Sequence, residues 1–474
     1  MPYENTSPQV RNLTGSNSLA LVEVNLADIK SPERTLRRHS DKQLAKLARS
    51  IETFGWVSPI LIDRKNRLIA GEARVEAAKR LGLTQAPAIR VEHLSEAEIR
   101  AYRIADNKLA EAGEWDEELL RLELQEIEIL GFDLELTGFE TPEIDILFAG
   151  EEGGADPADT VDADALSGPA VSQPGDVWQI GPHRLICGDA LLPETYQALL
   201  QGEVADMVFT DPPYNVPVKG HMGGLGAVQH REFVMASGEM TPEQFRGFLR
   251  SSMERAREAT RPGGVIFACM DWRSIAPLVD VSEEAGLELL NLCVWNKTNG
   301  GMGSLYRSKH ELILVARVSG AAHTNNVDLG RYGRNRTNVW DYPGANTPGG
   351  QMADLKLHPT VKPVALVADA IQDVSKRGDS VLDLFGGAGT TLIAAERTGR
   401  KARLIELDPL YVDTTIRRVE AVCGLTATLE ETGEAFEVVE ARRTNAVATL
   451  EAPPVIRTRT RTPPTVFSET GRAG

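Results

Sequence analysis

Cysteine is scarce in this chain and poorly placed for structural chemistry. Its four copies, Cys187, Cys269, Cys293 and Cys423, show no paired metal-ligand spacing. Neither a zinc or other metal site nor a disulfide framework is expected, and a reducing, cytoplasmic setting fits. Long apolar runs are also missing, since no uninterrupted stretch approaches the ~20 residues of a membrane span. The start, Met1-Pro2-Tyr3-Glu4-Asn5, lacks the basic-then-apolar pattern of a secretion signal. Positive charge is in deficit too: 51 Lys and Arg stand against 68 Asp and Glu, for a formal charge of −17. Such a balance disfavours a phosphate-coated partner unless the charges are segregated. The acids do concentrate, with Glu151, Glu152, Asp156, Asp159, Asp162, Asp164 and Asp176 in a stretch that has no lysine or arginine. That composition reads as a solvated, disordered linker over 150–173. Between Trp295 and Asn346 the balance reverses, with Lys297, Arg307, Lys309, Arg317, Arg331, Arg334 and Arg336 against Glu311, Asp328 and Asp341. A basic face suited to gripping nucleic acid is expected there.

A chain of 474 residues exceeds one ordinary domain. Two short segments of its second half carry the chemistry. Ala205-Asp206-Met207-Val208-Phe209-Thr210 reads as a buried strand, so Asp211-Pro212-Pro213-Tyr214 falls at a strand's carboxyl end, where open α/β sheets place ligands. Ser380-Val381-Leu382-Asp383-Leu384 reads as a second strand, entering the loop Phe385-Gly386-Gly387-Ala388-Gly389-Thr390 and then a helix over Thr391–Arg397. The glycines admit a close backbone approach to a ligand. Arg403 to Asp408 reads as the next strand and ends in acids placed to hold a ribose hydroxyl pair, Glu406 first and Asp408 second. An exocyclic amine on a nucleobase is a poor nucleophile because its lone pair is delocalised into the ring. If Asp211 accepts one amine hydrogen and the Pro212 carbonyl the other, the nitrogen is drawn toward tetrahedral geometry. Pro212 and Pro213 stiffen that loop. Tyr214 offers a ring face, and stacking of about 1–3 kcal/mol offsets much of the cost of extruding a base.

Over residues 174–425 these motifs, in this order, resemble the DNA amino-methyltransferases that use S-adenosylmethionine, in the beta-group arrangement with Asp-Pro-Pro-Tyr before the glycine loop. The resemblance implies a Rossmann-like α/β core and a site-specific adenine-N6 enzyme of the restriction–modification type acting on double-stranded DNA. Cytosine N4 is the alternative target, and a non-catalytic DNA-binding protein with a vestigial core is a further one. It implies catalytic roles for Asp211, Pro212, Pro213 and Tyr214. It implies cofactor contacts from Asp189 of a Gly-Asp element, from Asp383, Phe385, Gly386, Gly387, Gly389, Thr390, Glu406 and Asp408, and from His358, Thr360 and Lys362 of a His-Pro-Thr-Val-Lys-Pro segment. Val361 stands where glutamine is usual, and Ala388 where many members carry serine. Target recognition is expected over about 319–357, just before that segment. There Arg331, Arg334, Asn335 and Arg336, with Lys297 upstream, suit contacts to bases or phosphates. His221 to His230 reads as a loop able to close over substrate.

The first half is a separate unit. Asp41 to Ile51 has helical spacing with an N-cap candidate at Ser40. Ile60–Ile62 and Leu68–Ala70 flank a hairpin turn, and Gly71-Glu72-Ala73-Arg74 opens a helix through Leu81. Over about 20–110 this resembles the smaller α+β ParB/sulfiredoxin-like N-terminal domain, with a helical extension to 149 that includes an amphipathic helix over Glu114–Leu130. Ala73 and Glu72 depart from that family's Gly-x-Arg-Arg loop and argue against nucleotide binding. Residues 1–19 read as a flexible start and 426–474 as an extension ending in a basic, disordered tail. A homodimer is left open.

Overall fold

The computed structural model describes residues 20–149, 156–159, 169–215, 238–297, 305–344 and 362–451, with side chains to residue 444. Contacts divide it into two compact units, 1–150 and 151–474. Among the described residues no helix is long and apolar enough to cross a membrane.

The first unit has a four-stranded sheet of β1 (Leu21–Asn25), β2 (Ile60–Ile62), β3 (Leu68–Ala70) and β4 (Gln85–Arg90) in the order β1-β4-β2-β3. Helix α1 (Asp41–Phe54) starts where expected, with the Ser40 side chain accepting from the Gln43 amide. The β2–β3 turn is closed by Asp63, whose carboxylate takes the Lys65 and Arg67 amides and the Arg67 guanidinium. Helix α2 (Glu72–Arg80) follows Gly71, whose φ of +99° and closeness to Ile60 exclude a side chain. Ile60, Ile62, Leu68, Val75 and Ala88 form the core. Helices α3 (Glu96–Ala110), α4 (Glu117–Ile129) and α5 (Thr141–Ala149) complete the unit, the last two sharing a small apolar cluster with Leu134.

The second unit is built on ten strands: β5 (Val177–Ile180), β6 (His183–Cys187), β7 (Ala205–Thr210), β8 (Thr260–Met270), β9 (Leu287–Asn296), β10 (His310–Val318), β11 (Val339–Asp341), β12 (Ser380–Asp383), β13 (Lys401–Glu406) and β14 (Ala427–Leu429). Their order is β11-β9-β10-β8-β7-β12-β13-β6-β5-β14. The central strands β8, β7, β12, β13 and β6 are parallel, and their near-continuous apolar sequences fit burial on both faces. From β7 the chain crosses to β8 through α7 (Pro242–Glu258); from β12 it crosses the other way, to β13, through α10 (Thr390–Arg397). The β7/β12 boundary is therefore a topological switch point, and Asp211 and the glycine loop leave the sheet side by side. The helices α6 (Pro193–Leu200), α8 (Ile275–Glu284), α9 (Val364–Val374), α11 (Pro409–Cys423) and α12 (Phe436–Glu451) complete the unit. The antiparallel β10 pairs Leu312 with Met270, so its first residues lie at the same edge where β8 ends.

Part of the expected solvated linker is instead bound to this unit. Asp156 pairs with Arg397, and the Asp159 carboxylate accepts the Val364 amide at 2.8 Å. Ala158 is buried, with its carbonyl taking two donors from Arg418. Acids that have no cation nearby in sequence find cations in space. A fragment starting at Glu151 is therefore expected to unfold at a higher temperature than one starting at Val171, by about 2 kcal/mol from the lost buried hydrogen bonds. Calorimetric scans of both fragments check this, and equal midpoints would return 151–170 to the status of a free linker.

Candidate active site at the sheet edge

Asp211 emerges from β7 into a cluster of charges. Its Oδ1 accepts from the Tyr214 hydroxyl at 2.7 Å and its Oδ2 from Lys362 Nζ at 2.5 Å. Lys362 also reaches Glu311 Oε2 at 3.0 Å, while Lys297 holds the other Glu311 oxygen. Burial alone pushes the Glu311 carboxyl up, but Lys362 and Lys297 outweigh it and leave it at about 2. Burial draws the Lys362 ammonium down, and Asp211 and Glu311 more than reverse that. Tyr214 is pushed well up by burial and by the two carboxylates, so it remains a hydroxyl and a donor. Two carboxylates and two ammoniums are thus compensated within one site.

Asn215 continues the motif in the left-handed region at φ 54°, a conformation asparagine tolerates. Its Oδ1 accepts the Gly238 and Met240 amides and its Nδ2 donates to the Met240 carbonyl. Tyr214 and Asn215 line an open cleft of about 460 Å³ with Met240, Phe245, Arg246 and Arg273.

At the next strand end, Asp383 is buried and braces its own loop, accepting the Phe385 amide at 3.1 Å and the Thr391 hydroxyl at 2.6 Å. Burial raises its carboxyl to about 6. Thr390 accepts from Arg418. The glycines divide by purpose. A side chain on Gly389 would strike Thr415 at 2.5 Å, and one on Gly386 would press on Leu404 and Ile405. Their missing side chains make room for packing against α11 and β13. Gly387 alone has an open face, with nothing nearer than 4.0 Å, and its amide donates to Glu406 at 2.7 Å. Glu406 also takes the Asp408 amide, and burial raises its carboxyl to about 7. Asp408 caps α11 through the Leu410 amide, which leaves Glu406 as the acid facing the open loop. Asp189 follows β6, whose Cys187 pairs with Glu406, and it accepts the Leu191 amide.

Several expected contacts fall elsewhere. The Lys362 ammonium lies on Asp211 and Glu311 rather than standing free for a cofactor. Lys297, expected on nucleic acid, is held by Glu311 and the face of Trp295. Arg334 and Arg336 are buried or nearly so, and both bind Asp369 and Asp373, one turn apart on α9. Both guanidiniums are turned onto these carboxylates. Arg331 and Asn335 are exposed and remain suited to contact. His358, Thr360 and the His221–His230 loop lie outside the described residues. Glu311 was missed by the sequence reading, although a lone acid opening the apolar run Leu312-Ile313-Leu314-Val315 was a usable signal.

Comparison with known proteins matches residues 205–417 to the DNA methylase family, 10–107 to the ParB N-terminal domain and 118–174 to the ParB-methyltransferase HTH domain. The Type II methyltransferase M2.DpnII of Streptococcus pneumoniae is 30% identical over 233 residues, covering 47% of this chain and 85% of that protein. The Type II methyltransferase M2.LlaDCHI of Lactococcus lactis subsp. cremoris is 29% identical over 231 residues, covering 46% and 84%. Among solved structures, the M1.HpyAVI–SAM complex aligns at TM-score 0.36 and 23% identity, covering 50% of this chain and 98% of that one.

Removing one partner of a buried ion pair costs about 3–5 kcal/mol. Asp373→Ala should therefore destabilise the second unit by about 3 kcal/mol in a denaturant or thermal titration. Unchanged stability together with weakened DNA binding would return Arg334 and Arg336 to a DNA-contacting role.

Proposed function

This chain belongs to the DNA amino-methyltransferase family, here joined to an N-terminal ParB-like domain, and from that premise we propose that it methylates adenine N6 in double-stranded DNA with S-adenosylmethionine as donor. The observation that carries the reading is Asp211 itself. A carboxylate at the switch point, beside the glycine loop and lined with Tyr214, is the acceptor an exocyclic amine requires. An aspartate opening this motif, where relatives acting on cytosine N4 more often have serine, favours adenine.

The residues present fit the cofactor. Gly387 leaves an open face beside a partly buried carboxyl that two ribose hydroxyls would satisfy, and Asp189, two residues beyond the Cys187 that pairs with Glu406, would hold the cofactor's adenine. When bound, S-adenosylmethionine supplies an electrophilic methyl on a sulfonium sulfur that departs as a neutral thioether. Asp211 and the Pro212 carbonyl take the two amine hydrogens and free the nitrogen lone pair for that methyl. Asp211 then accepts the proton that the methylated nitrogen sheds. Tyr214 orients Asp211 and presents ring surface to the flipped base. Arg331 and Asn335 serve as DNA contacts, and the N-terminal unit supports DNA engagement rather than chemistry.

Asp211→Ala should lower turnover at least about a hundredfold while cofactor affinity stays nearly unchanged. Labelled methyl transfer and calorimetry read the two quantities, and near-native turnover would remove Asp211 from catalysis. Methylation-aware sequencing of DNA from cells expressing the chain decides the base, since N4-methylcytosine in place of N6-methyladenine would overturn the adenine assignment.

Glu406 gives a pH dependence with a definite sign. Its folded value is raised from 4.5 to about 7, so between those values the folded chain holds a proton that the unfolded chain has lost. On this group's account stability falls as pH rises through that window. Ribose hydroxyls donate to the charged form, so cofactor affinity should rise through about pH 7 and level off above it, by up to about tenfold per unit. Glu406→Gln should bind more weakly and without that slope. Calorimetry at several pH values checks this, and a flat profile in the parent chain would take the ribose away from Glu406.

A further inference from the structure

Glu311 has no role in the chemistry so far, yet it is built into the site with care. It is the second residue of β10, the antiparallel strand whose first residues reach the catalytic edge, and its two oxygens face two different lysines. Lys297 fixes one oxygen, and the other faces Lys362 and accepts from the Tyr214 hydroxyl at 3.3 Å. The Lys362 ammonium in turn lies between two carboxylates, 2.5 Å from Asp211 and 3.0 Å from Glu311, with its third neighbour the Tyr214 oxygen at 3.4 Å. The rings of Tyr214 and Trp295 lie within 6 Å of it, at 5.7 Å and 5.8 Å.

This placement creates a conflict that the reaction must resolve. Asp211 is needed as an acceptor for the target amine, but its Oδ2 already takes a full ammonium charge, which weakens it as an acceptor. Removing the lysine altogether is no remedy, because Asp211 and Glu311 without a shared cation would repel, and one of them would take up a proton. A second carboxylate within reach of the same ammonium satisfies both demands. A shift of Nζ by well under the length of one bond changes which carboxylate it favours.

Resting on the methyltransferase reading above, we propose that Glu311 is a positioning residue, which draws the Lys362 ammonium toward itself as the target amine engages Asp211. No bond to Glu311 or Lys362 forms or breaks. Asp211 stays charged until it takes the proton that the methylated nitrogen sheds, and the cation stays inside the site instead of returning to water.

The test is a double-mutant cycle with unmethylated genomic DNA and tritium-labelled S-adenosylmethionine, so no recognition sequence need be known. In the parent background Glu311→Gln leaves Lys362 committed to Asp211, and kcat should fall by about tenfold or more with little change in cofactor affinity. In the Lys362→Met background Glu311→Gln removes a like charge from beside Asp211, so kcat should be unchanged or should rise. Losses of equal size in both backgrounds would make Glu311 plain structural support and overturn the proposal, as would full activity of Glu311→Gln alone. Cofactor binding by calorimetry shows whether each variant is folded. Should the Lys362→Met chains fail to bind, Glu311→Asp replaces the cycle: it keeps the charge and must recover most of the kcat lost in Glu311→Gln, and no recovery overturns the proposal. A parent chain that transfers no methyl to DNA would instead refute the proposed function.

Discussion

Carboxylates crowded together at a strand's partly buried end need cations placed beside them. In this protein that requirement organises much of the second unit. Asp211 follows β7, Glu311 is the second residue of β10, Lys297 follows β9 and Lys362 precedes α9. Four elements far apart in sequence must close around one another for any of these charges to be tolerated. The sheet order does this by setting β7, β8, β10 and β9 in succession, with β10 reversed so that its start meets the others' ends. The same constraint recurs at Asp369 and Asp373, where a pair of acids on α9 takes in Arg334 and Arg336.

How much of this the sequence disclosed depended on how local the cause was. The strand before Asp211, the strand before Asp383, the Ser40 cap and the hairpin closed by Asp63 were all legible, because each is decided by residues within a few positions. The strands β8 to β10 were not read, although they flank the site and supply Glu311. The arginines misled for a related reason. A run of basic residues in a glycine-rich stretch looks free while its partners are out of view, and those of Arg334 and Arg336 lie 33 to 39 residues further on. Lys362 is 151 residues from Asp211. Pairing over such distances leaves no pattern in a single sequence.

The glycine loop shows a subtler limit. Its sequence announces close approach without saying what approaches. For Gly386 and Gly389 it is the protein itself, a strand and a helix that pack where a methyl group would stand; for Gly387 it is open space. One motif therefore combines rigidity with access, and the two carboxyls flanking it divide the same way. Asp383 is consumed in bracing the loop, while Glu406 accepts only two backbone amides.

Asn215 closes a circle in the chain. By holding Gly238 and Met240, it brings the two ends of a long intervening stretch together within hydrogen-bond reach of a single side chain. The entropy of closing a loop grows only logarithmically with its length, about 0.6 kcal/mol for each doubling. Because the clasp holds residue 215 against residues 238 and 240, the closure entropy between them depends only weakly on how many residues intervene. The clasp also ties together two of the residues that line the cleft, Asn215 and Met240, so a single side chain holds that wall in place.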